Sequence, residues 1–405
     1  MLKTAHNGST SRKEKIKICF LVTHPIQYLS PLFSFMNKNY NAEVSAIYQS
    51  NCSIVNAIDK EFGRPVNWGR PLLEGYKHIF LPAIGSVDKV SFFSPFNYGL
   101  LEAIREIKPE ILIIVGYSRP FHLWSAIIAR LLGIKVYFRD DANLISVVRT
   151  ARNIKLKKLY FRLVLTIASG FLSVGSANTD YYSSHGVPRG KIKSMPWAID
   201  NDYFMTTAYS AERHKIRTGL GLSNDSILFS FVGKLSHRKG VETLVKAFNN
   251  LSNGANRDIH LAFVGDGELR GVVEHAASYN MKIHYMGFKD QVELALWYAC
   301  IDVLVLPSNN RETWGLVVNE AGITGKPVIV SDAVGCWPDL VVDGVTGFVF
   351  KTGDVEDLAR VMNEISSDKQ RLSRMGEALH DLVQKGYSFD VDARALLELA
   401  PQIKS

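Results

Sequence analysis

Residues 306–332 read LPSNNRETWGLVVNEAGITGKPVIVSD, and this stretch decides the fold. It opens at the end of an apolar run of strand length, Val303-Leu304-Val305-Leu306, followed by Pro307 and a polar loop. The spacing predicts a helix from near Gly315 to Gly325, because a glycine stop with Pro327 just beyond it is a C-terminal signal. Val328-Ile329-Val330 is the next strand. Strand, loop, helix, strand is the repeating unit of a parallel sheet with crossover helices. Two carboxylates bracket the helix entry, Glu312 in the loop and Glu320 inside the helix.

A helix N-terminus presents backbone N–H groups and a positive dipole end, so it attracts anions. Carboxylates beside such a site do not suit a phosphate alone. They suit a ligand that also carries hydroxyls, and a sugar nucleotide has a diphosphate for the helix end and sugars for the acids. The spacing Glu312-x7-Glu320, with Trp314-Gly315-Leu316-Val317 between, resembles the E-x7-E signature of retaining GT-B glycosyltransferases of family 4, the glycosyl transferases group 1. The frame around it matches as well: Pro307-Ser308, Glu320-Ala321, Gly325-Lys326-Pro327-Val328 and Ser331-Asp332. The resemblance implies an α/β GT-B fold, two Rossmann-like domains whose parallel sheets face a central cleft.

The totals agree with two domains. The chain has 405 residues, 47% of them hydrophobic and 21% charged, which is the balance of a globular protein. No stretch reaches the ~18 uninterrupted apolar residues of a membrane span. The lead MLKTAHNGSTSRKEK is basic and polar, and the apolar run Ile16–Val22 is broken by Lys17. It is too short for a secretory signal and lacks a small-residue cleavage site, so residues 1–14 are expected as a disordered lead. The four cysteines, Cys19, Cys52, Cys300 and Cys336, show no C-x-x-C and no metal-ligand spacing, which fits a reduced, cytoplasmic chain. The net charge of +8 is unevenly placed. Residues 1–200 hold about 26 Lys and Arg against about 13 acids, and the rest about 21 against about 26. The basic half favours an anionic partner: a membrane surface, a lipid-linked phosphate or nucleic acid. It carries no helix-turn-helix or aromatic RNA signature, so nucleic acid is not expected.

Strands alternate with helices along the whole chain. Ile16–Val22, 42–48, 76–81, 111–115, 134–138 and 171–174 read as strands of the first domain, with helices at 31–36, 98–107, 123–132 and 178–185. Phe62 to Gly75 reads as an irregular loop. The segment from Gly186-Val187-Pro188 to Pro196-Trp197-Ala198-Ile199-Asp200 and Phe204 resembles the family's close of the first domain, with Ala198 where glycine is usual. The division expected is 15–205 for the acceptor-binding domain and 206–385 for the nucleotide-sugar domain, with a linker inside 200–222. Residues 386–405 are expected to return to the first domain. In the second half, 227–232, 259–264, 283–286 and 348–350 are strands, and Asp354 caps a helix over 355–365.

The family assigns roles by position. The loop Gly233-Lys234-Leu235-Ser236-His237-Arg238-Lys239-Gly240 puts Lys234 and Lys239 where the donor diphosphate is clamped, although the family more often has arginine at the first. Positive charge there stabilises the departing diphosphate without a metal. Glu320 accepts from ribose hydroxyls, and Glu312 touches the donor sugar or positions the acceptor. Trp314 and Gly315 shape the turn, Leu316 and Val317 offer N–H groups to the distal phosphate, and Met286, Gly287 and Phe288 line the base. On the acceptor side His24-Pro25-Ile26-Gln27-Tyr28 replaces the family's Gly-Gly turn, and Arg139-Asp140-Asp141-Ala142-Asn143 stands near its usual histidine. Asp140 or Asp141 takes that histidine's place, Arg139 binds a phosphate, and His24, Tyr28 and Asn143 are acceptor-side candidates. The catalytic candidates are thus Glu312, Asp141 and His24.

The resemblance implies a retaining, metal-independent transfer, with no cofactor beyond the nucleotide-sugar substrate. The acceptor hydroxyl attacks the face the nucleotide leaves, and a donor phosphate oxygen takes the proton. A lipid-linked glycan of surface polysaccharide synthesis, such as lipopolysaccharide, capsule or exopolysaccharide, is the acceptor expected from the basic first half. The segment Arg149 to Arg162, RTARNIKLKKLYFR, would lie on the inner face of the cytoplasmic membrane as a peripheral contact. Two other readings stay open: a GT-B epimerase or synthase with a soluble acceptor, and a non-catalytic nucleotide-sugar-binding partner subunit.

Overall fold

The computed structural model describes residues 14–54, 58–59, 64–65, 71–85, 92, 95–145, 151–206, 210–251 and 258–400. The lead 1–13, most of the loop Phe62–Gly75, and Arg149 and Thr150 of the basic segment lie outside the described residues.

The first sheet is built from β1 (Ile16–Val22), β2 (Ala42–Tyr48), β3 (Lys77–Phe80), β4 (Ile111–Val115), β5 (Lys135–Asp140), β6 (Gly170–Ser173) and β7 (Ile192–Ser194). Its order is β7-β6-β5-β4-β1-β2-β3, all parallel. The second sheet is built from β8 (Ile227–Val232), β9 (Ile259–Val264), β10 (Ile283–Tyr285), β11 (Val303–Leu306), β12 (Val328–Ser331) and β13 (Gly347–Phe350). Its order is β10-β9-β8-β11-β12-β13, again all parallel. Both sheets therefore reverse strand order beside their first strand, and open α/β sheets bind ligands at the carboxyl edge of that point. The strands read as continuous apolar runs because helices cover both faces: β4 is ILIIV and β8 is ILFSFV, with every β8 residue buried.

The first-domain helices are α1 (Ser30–Asn39), α2 (Leu100–Ile107), α3 (Pro120–Leu131), α4 (Ala151–Ile167) and α5 (Ser176–Ser184). Pro31 and Pro120 sit in the first turns of α1 and α3, where proline's missing N–H costs nothing. Then follow α6 (Asn201–Thr206), α7 (Ser210–Gly219), α8 (Val241–Asn249), α9 (Arg270–Tyr279), α10 (Gln291–Cys300), α11 (Val317–Ile323), α12 (Trp337–Leu340), α13 (Val355–Ile365), α14 (Lys369–Gly386) and α15 (Phe389–Leu397). Asp290 and Glu293 form a reciprocal capping box on α10, and Asp354 accepts from the first-turn N–H groups of α13 as expected.

Of the span 200–222, inside which the linker is expected, Asn201–Thr206 form α6 and Ser210–Gly219 form α7; they pack on α10 and, for α6, on α11, and 207–209 lie outside the described residues. Phe204 and Leu222 are buried in the second domain's core, and burying them outweighs leaving the segment extended. The helix expected from Gly315 starts at Val317, because Gly315 holds φ 101 and leaves Leu316 as the N-cap.

The chain passes between the domains twice. It leaves the first through Met195–Ile199 and comes back at Tyr387–Phe389, where Ile199 and Ser388 pair side by side. On return, α15 lies against α1, and Phe389, Ala393 and Leu396 of the helix and Leu399 just beyond it are buried in the first domain's core.

Candidate functional site

The carboxyl ends of the two sheets meet across the loop 307–316 and the helix α11 behind it. Glu312 is buried in that loop. Its Oε2 is ion-paired with Lys239 and accepts from Ser308 Oγ at 2.8 Å. Burial alone would raise its pKa, but Lys239, the Ser308 hydroxyl and Arg238 outweigh it and hold the carboxyl below its ordinary value. The cation expected on a phosphate and the acid expected on a sugar are therefore each other's partner. Lys239 reaches Glu312 because the turn ending at Gly240 brings it there. Gly240 has φ 70, and a Cβ on it would run into the Pro307 carbonyl.

Glu320 sits one helical turn into α11 and is only 1% exposed. Its two oxygens accept from two tyrosines, Oε1 from Tyr28 at 2.8 Å and Oε2 from Tyr298 at 2.7 Å. Tyr298 belongs to α10, and Tyr28 comes from the other domain, just before α1. Burial pushes the Glu320 carboxyl up to about 7, with both hydroxyls acting against the rise. Tyr28, a candidate for the acceptor side, thus donates to the carboxylate expected at the donor ribose.

The first domain holds the same loop at further points. Thr313 Oγ1 donates to Asp141 Oδ2 at 2.8 Å, and Asn143 Nδ2 donates to the Thr313 carbonyl at 2.8 Å. Burial raises the Asp141 pKa; the Thr313 bond opposes the rise and the negative Glu312 adds to it. Asp141 and Glu312 are thus brought into one electrostatic site, and Asn143 ties the first domain to the loop. Asn319 Nδ2 donates to the Trp197 carbonyl at 2.9 Å, and Asp339 accepts from Ser176 N at the start of α5 at 3.0 and 3.1 Å.

Arg139 is the clearest correction. It was expected to bind a phosphate, but it is buried behind the cleft. It donates to the Met195 and Pro196 carbonyls at 3.2 and 3.0 Å, and its guanidinium lies 4.1 Å over the Trp197 ring. It clamps the interdomain crossing. Trp314 is buried too, with Nε1 donating to Asn319 Oδ1 at 2.9 Å and its ring 5.7 Å from Tyr387. It shapes the loop from within the core. His24 stands at the exit of β1, with Nδ1 3.0 Å from Thr23 Oγ1, and burial lowers its pKa.

The remaining donor-side candidates gather at the carboxyl ends of β8 to β11. Gly233 has φ 150 and Lys234, half-buried, follows β8. Met286, Gly287 and Phe288 follow β10, with Gly287 at φ 66 accepting from Gly265 N at 2.8 Å. Leu316 is the N-cap of α11 and Val317 its first residue. Sequence reasoning missed Tyr298, Thr313, Asn319 and Ser308. Ser308, Thr313 and Asn319 lay inside the quoted stretch, and only their contacts mark them out. Among the described residues no group of His, Cys, Asp and Glu is arranged to hold a metal ion.

Residues 212–381 match the family model described as glycosyl transferases group 1. The D-inositol 3-phosphate glycosyltransferase of Xylanimonas cellulosilytica is 29% identical over 234 residues, 55% of this chain and 54% of that protein. The sulfoquinovosyl transferase SQD2 of Arabidopsis thaliana is 30% identical over 190 residues, 46% of this chain and 35% of that one. The chain spans about half the length of the curated relatives it matches. Among solved structures, Anabaena Alr3699/HepE in complex with UDP and glucose superposes with a TM-score of 0.69 at 16% identity, covering 95% of this chain and 99% of that one. WaaG, a glycosyltransferase involved in lipopolysaccharide biosynthesis, gives 0.62 at 14% identity, covering 93% and 98%. At such identities the likeness is one of fold, and the fold is GT-B.

Proposed function

We propose that this chain, whose residues 212–381 match the glycosyl transferases group 1 model, transfers a sugar from a nucleotide-sugar donor to a glycan acceptor, with retention of configuration. The observation that carries the reading is the cluster of Lys239, Glu312 and Asp141 at the facing carboxyl edges of the two sheets. The donor diphosphate lies over Lys234 and the Gly233–Gly240 turn, and takes over Lys239 from Glu312. Glu312, so released, accepts from a hydroxyl of the donor sugar. The ribose takes the place of the Tyr28 hydroxyl at Glu320 Oε1, while Tyr298 keeps Oε2. Side-chain cations supply the charge that stabilises the leaving diphosphate, so the reaction needs no metal. His24, whose pKa burial lowers, faces the acceptor side, Asp141 stands near the donor sugar, and a donor phosphate oxygen takes the acceptor's proton.

The acceptor is a lipid-linked glycan of surface polysaccharide synthesis, and the enzyme works on the cytoplasmic leaflet. Supporting this, α3 and α4 pack side by side and leave apolar side chains to solvent: Trp124 is 58% exposed, Leu131 82%, Leu156 59%, Leu159 65% and Leu163 56%. Lys155, Lys158 and Arg162 are exposed among the α4 leucines. Leucines flanked by cations suit an interface with anionic headgroups.

The test is binding and hydrolysis across UDP-, GDP-, dTDP- and CMP-sugars with EDTA present, comparing wild type with Glu320→Ala. One sugar nucleotide bound selectively, and lost in the variant, supports the reading. No binding by folded protein overturns it. Flotation with anionic vesicles, for wild type against Leu159→Glu, tests the membrane part separately.

A further inference from the structure

The second domain has a cavity on the side away from the cleft. It holds about 280 Å³ and opens among Arg213 of α7, Asp302 before β11, Lys326 before β12, and Lys369 and Ser373 of α14. A smaller cavity beside it shares Arg213 and Asn224 and adds His214 and Arg217. These residues stand at the amino ends of β8, β11 and β12. The donor-side loops leave the carboxyl ends of the same strands, so the two sites are about 20 Å apart across a six-residue strand.

The charges around the cavity do not balance. Asp302 accepts from Arg217 at 2.8 Å and lies 3.4 Å from Arg213, so two guanidinium groups share one carboxylate. Lys369 pairs with the exposed Asp225 at 3.0 Å. Lys326 has no carboxylate or hydrogen-bond acceptor for its ammonium among the described residues, although its stem is packed in. Four cations thus face two acids. The Ser226 hydroxyl on the wall is committed to Asp258, which is itself paired with His260 and Lys282, so it adds no free charge. Burial lowers the Lys326 pKa, and Arg213 and Arg217 push it further down against the pull of Asp302. A concave site that keeps a half-buried ammonium beside a half-paired guanidinium lacks an anion, because removing the charges from water is offset only by a counter-charge.

We propose that this cavity is a phosphate-binding effector site, distinct from the donor site, in which Lys326, Arg213 and Lys369 hold the phosphate of a small metabolite or of inorganic pyrophosphate. Its walls link the parts that hold Glu320. Lys326 follows the end of α11, and α7 packs on α10, which carries Tyr298. A phosphate there draws α7 toward the end of α11, and so toward the Tyr298–Glu320 contact.

Site-resolved lysine acylation tests this. The full chain is treated with a succinimidyl acetate in inorganic phosphate, pyrophosphate or methyl phosphate, each against chloride at matched ionic strength, and the rate at each lysine is read by mass spectrometry. Pyrophosphate is expected to slow acylation at Lys326 and Lys369 at least about fivefold over chloride. Arg213→Gln, an exposed position, is expected to remove most of that protection, and Lys326→Met to remove it at Lys369. Protection by methyl phosphate as well assigns the site to phosphomonoesters; protection by pyrophosphate alone assigns it to diphosphates. Rates in phosphate, pyrophosphate and methyl phosphate all equal to that in chloride, protection confined to Lys239 in the cleft, or protection that survives Arg213→Gln would each overturn the proposal.

Discussion

Tyr28 of the first domain donates a hydrogen bond of 2.8 Å to Glu320 of the second, 292 residues along the chain. The contact joins the domains through the carboxylate that the family resemblance assigns to the donor ribose.

Tyr28→Phe removes one of the two donors to a buried carboxylate. The variant should unfold with a stability lower by about 1–2 kcal/mol. It should also bind nucleoside diphosphate roughly fivefold more tightly, because Glu320 no longer has to exchange a tyrosine for a ribose. Urea denaturation and calorimetric titration check both. Weaker nucleotide binding would mean that Tyr28 contacts the donor instead of competing with it.

Stability should fall between pH 6.5 and 8. Burial raises Glu320 to about 7 and Asp392 to about 8, the latter partly opposed by Arg139. Unfolded carboxyls titrate near 4, so these two contribute stability that is complete below pH ~4 and is lost as pH rises through the folded values. The histidines held low by burial, His24, His122, His260 and His284, act the other way. Their effect ends once pH passes ~6.5, where they are neutral in both states. Above it the carboxyls govern, at up to about 1.4 kcal/mol per pH unit each. Asp392→Asn should flatten the decline. A stability that climbs over this window would contradict the assignment.

Lys239→Met strands the Glu312 carboxylate, since breaking a buried pair costs more than the pair is worth. A loss of roughly 3 kcal/mol is expected. Adding Glu312→Gln should recover a good part of it, and a double-mutant cycle measures the coupling. Strict additivity would show that the two side chains do not interact in solution.

Gly175→Ala should separate the domains without unfolding either. A Cβ on Gly175 would meet the Trp314 ring and lie 2.7 Å from Asp339 Oδ2, both on the second domain. The backbone there is extended, so the obstacle is steric only. Small-angle scattering should show a larger radius of gyration, with transfer activity reduced at least about tenfold, as a displacement near 1 Å does elsewhere. An unchanged radius with full activity would show that the crevice relaxes locally.

Local pattern by itself determined the two parallel sheets, because strands covered on both faces must be apolar throughout and their helices must carry a periodic apolar stripe. It determined β2, β4, β8, β9 and α13 to the residue, and it singled out Glu312, Glu320, Lys234 and Lys239 through short-range spacing. Only the tertiary structure decided what those groups touch. Lys239 and Glu312 are 73 residues apart, and Tyr28 and Glu320 are 292 apart; no local rule reaches such distances. Arg139 shows the same limit: an arginine at a strand's carboxyl end suits a phosphate, yet the backbone carbonyls of Met195 and Pro196 fold over it and take it first. Residue spacing encodes which chemistry is available, whereas burial and the closing of one domain on the other set the partner and the charge each group carries.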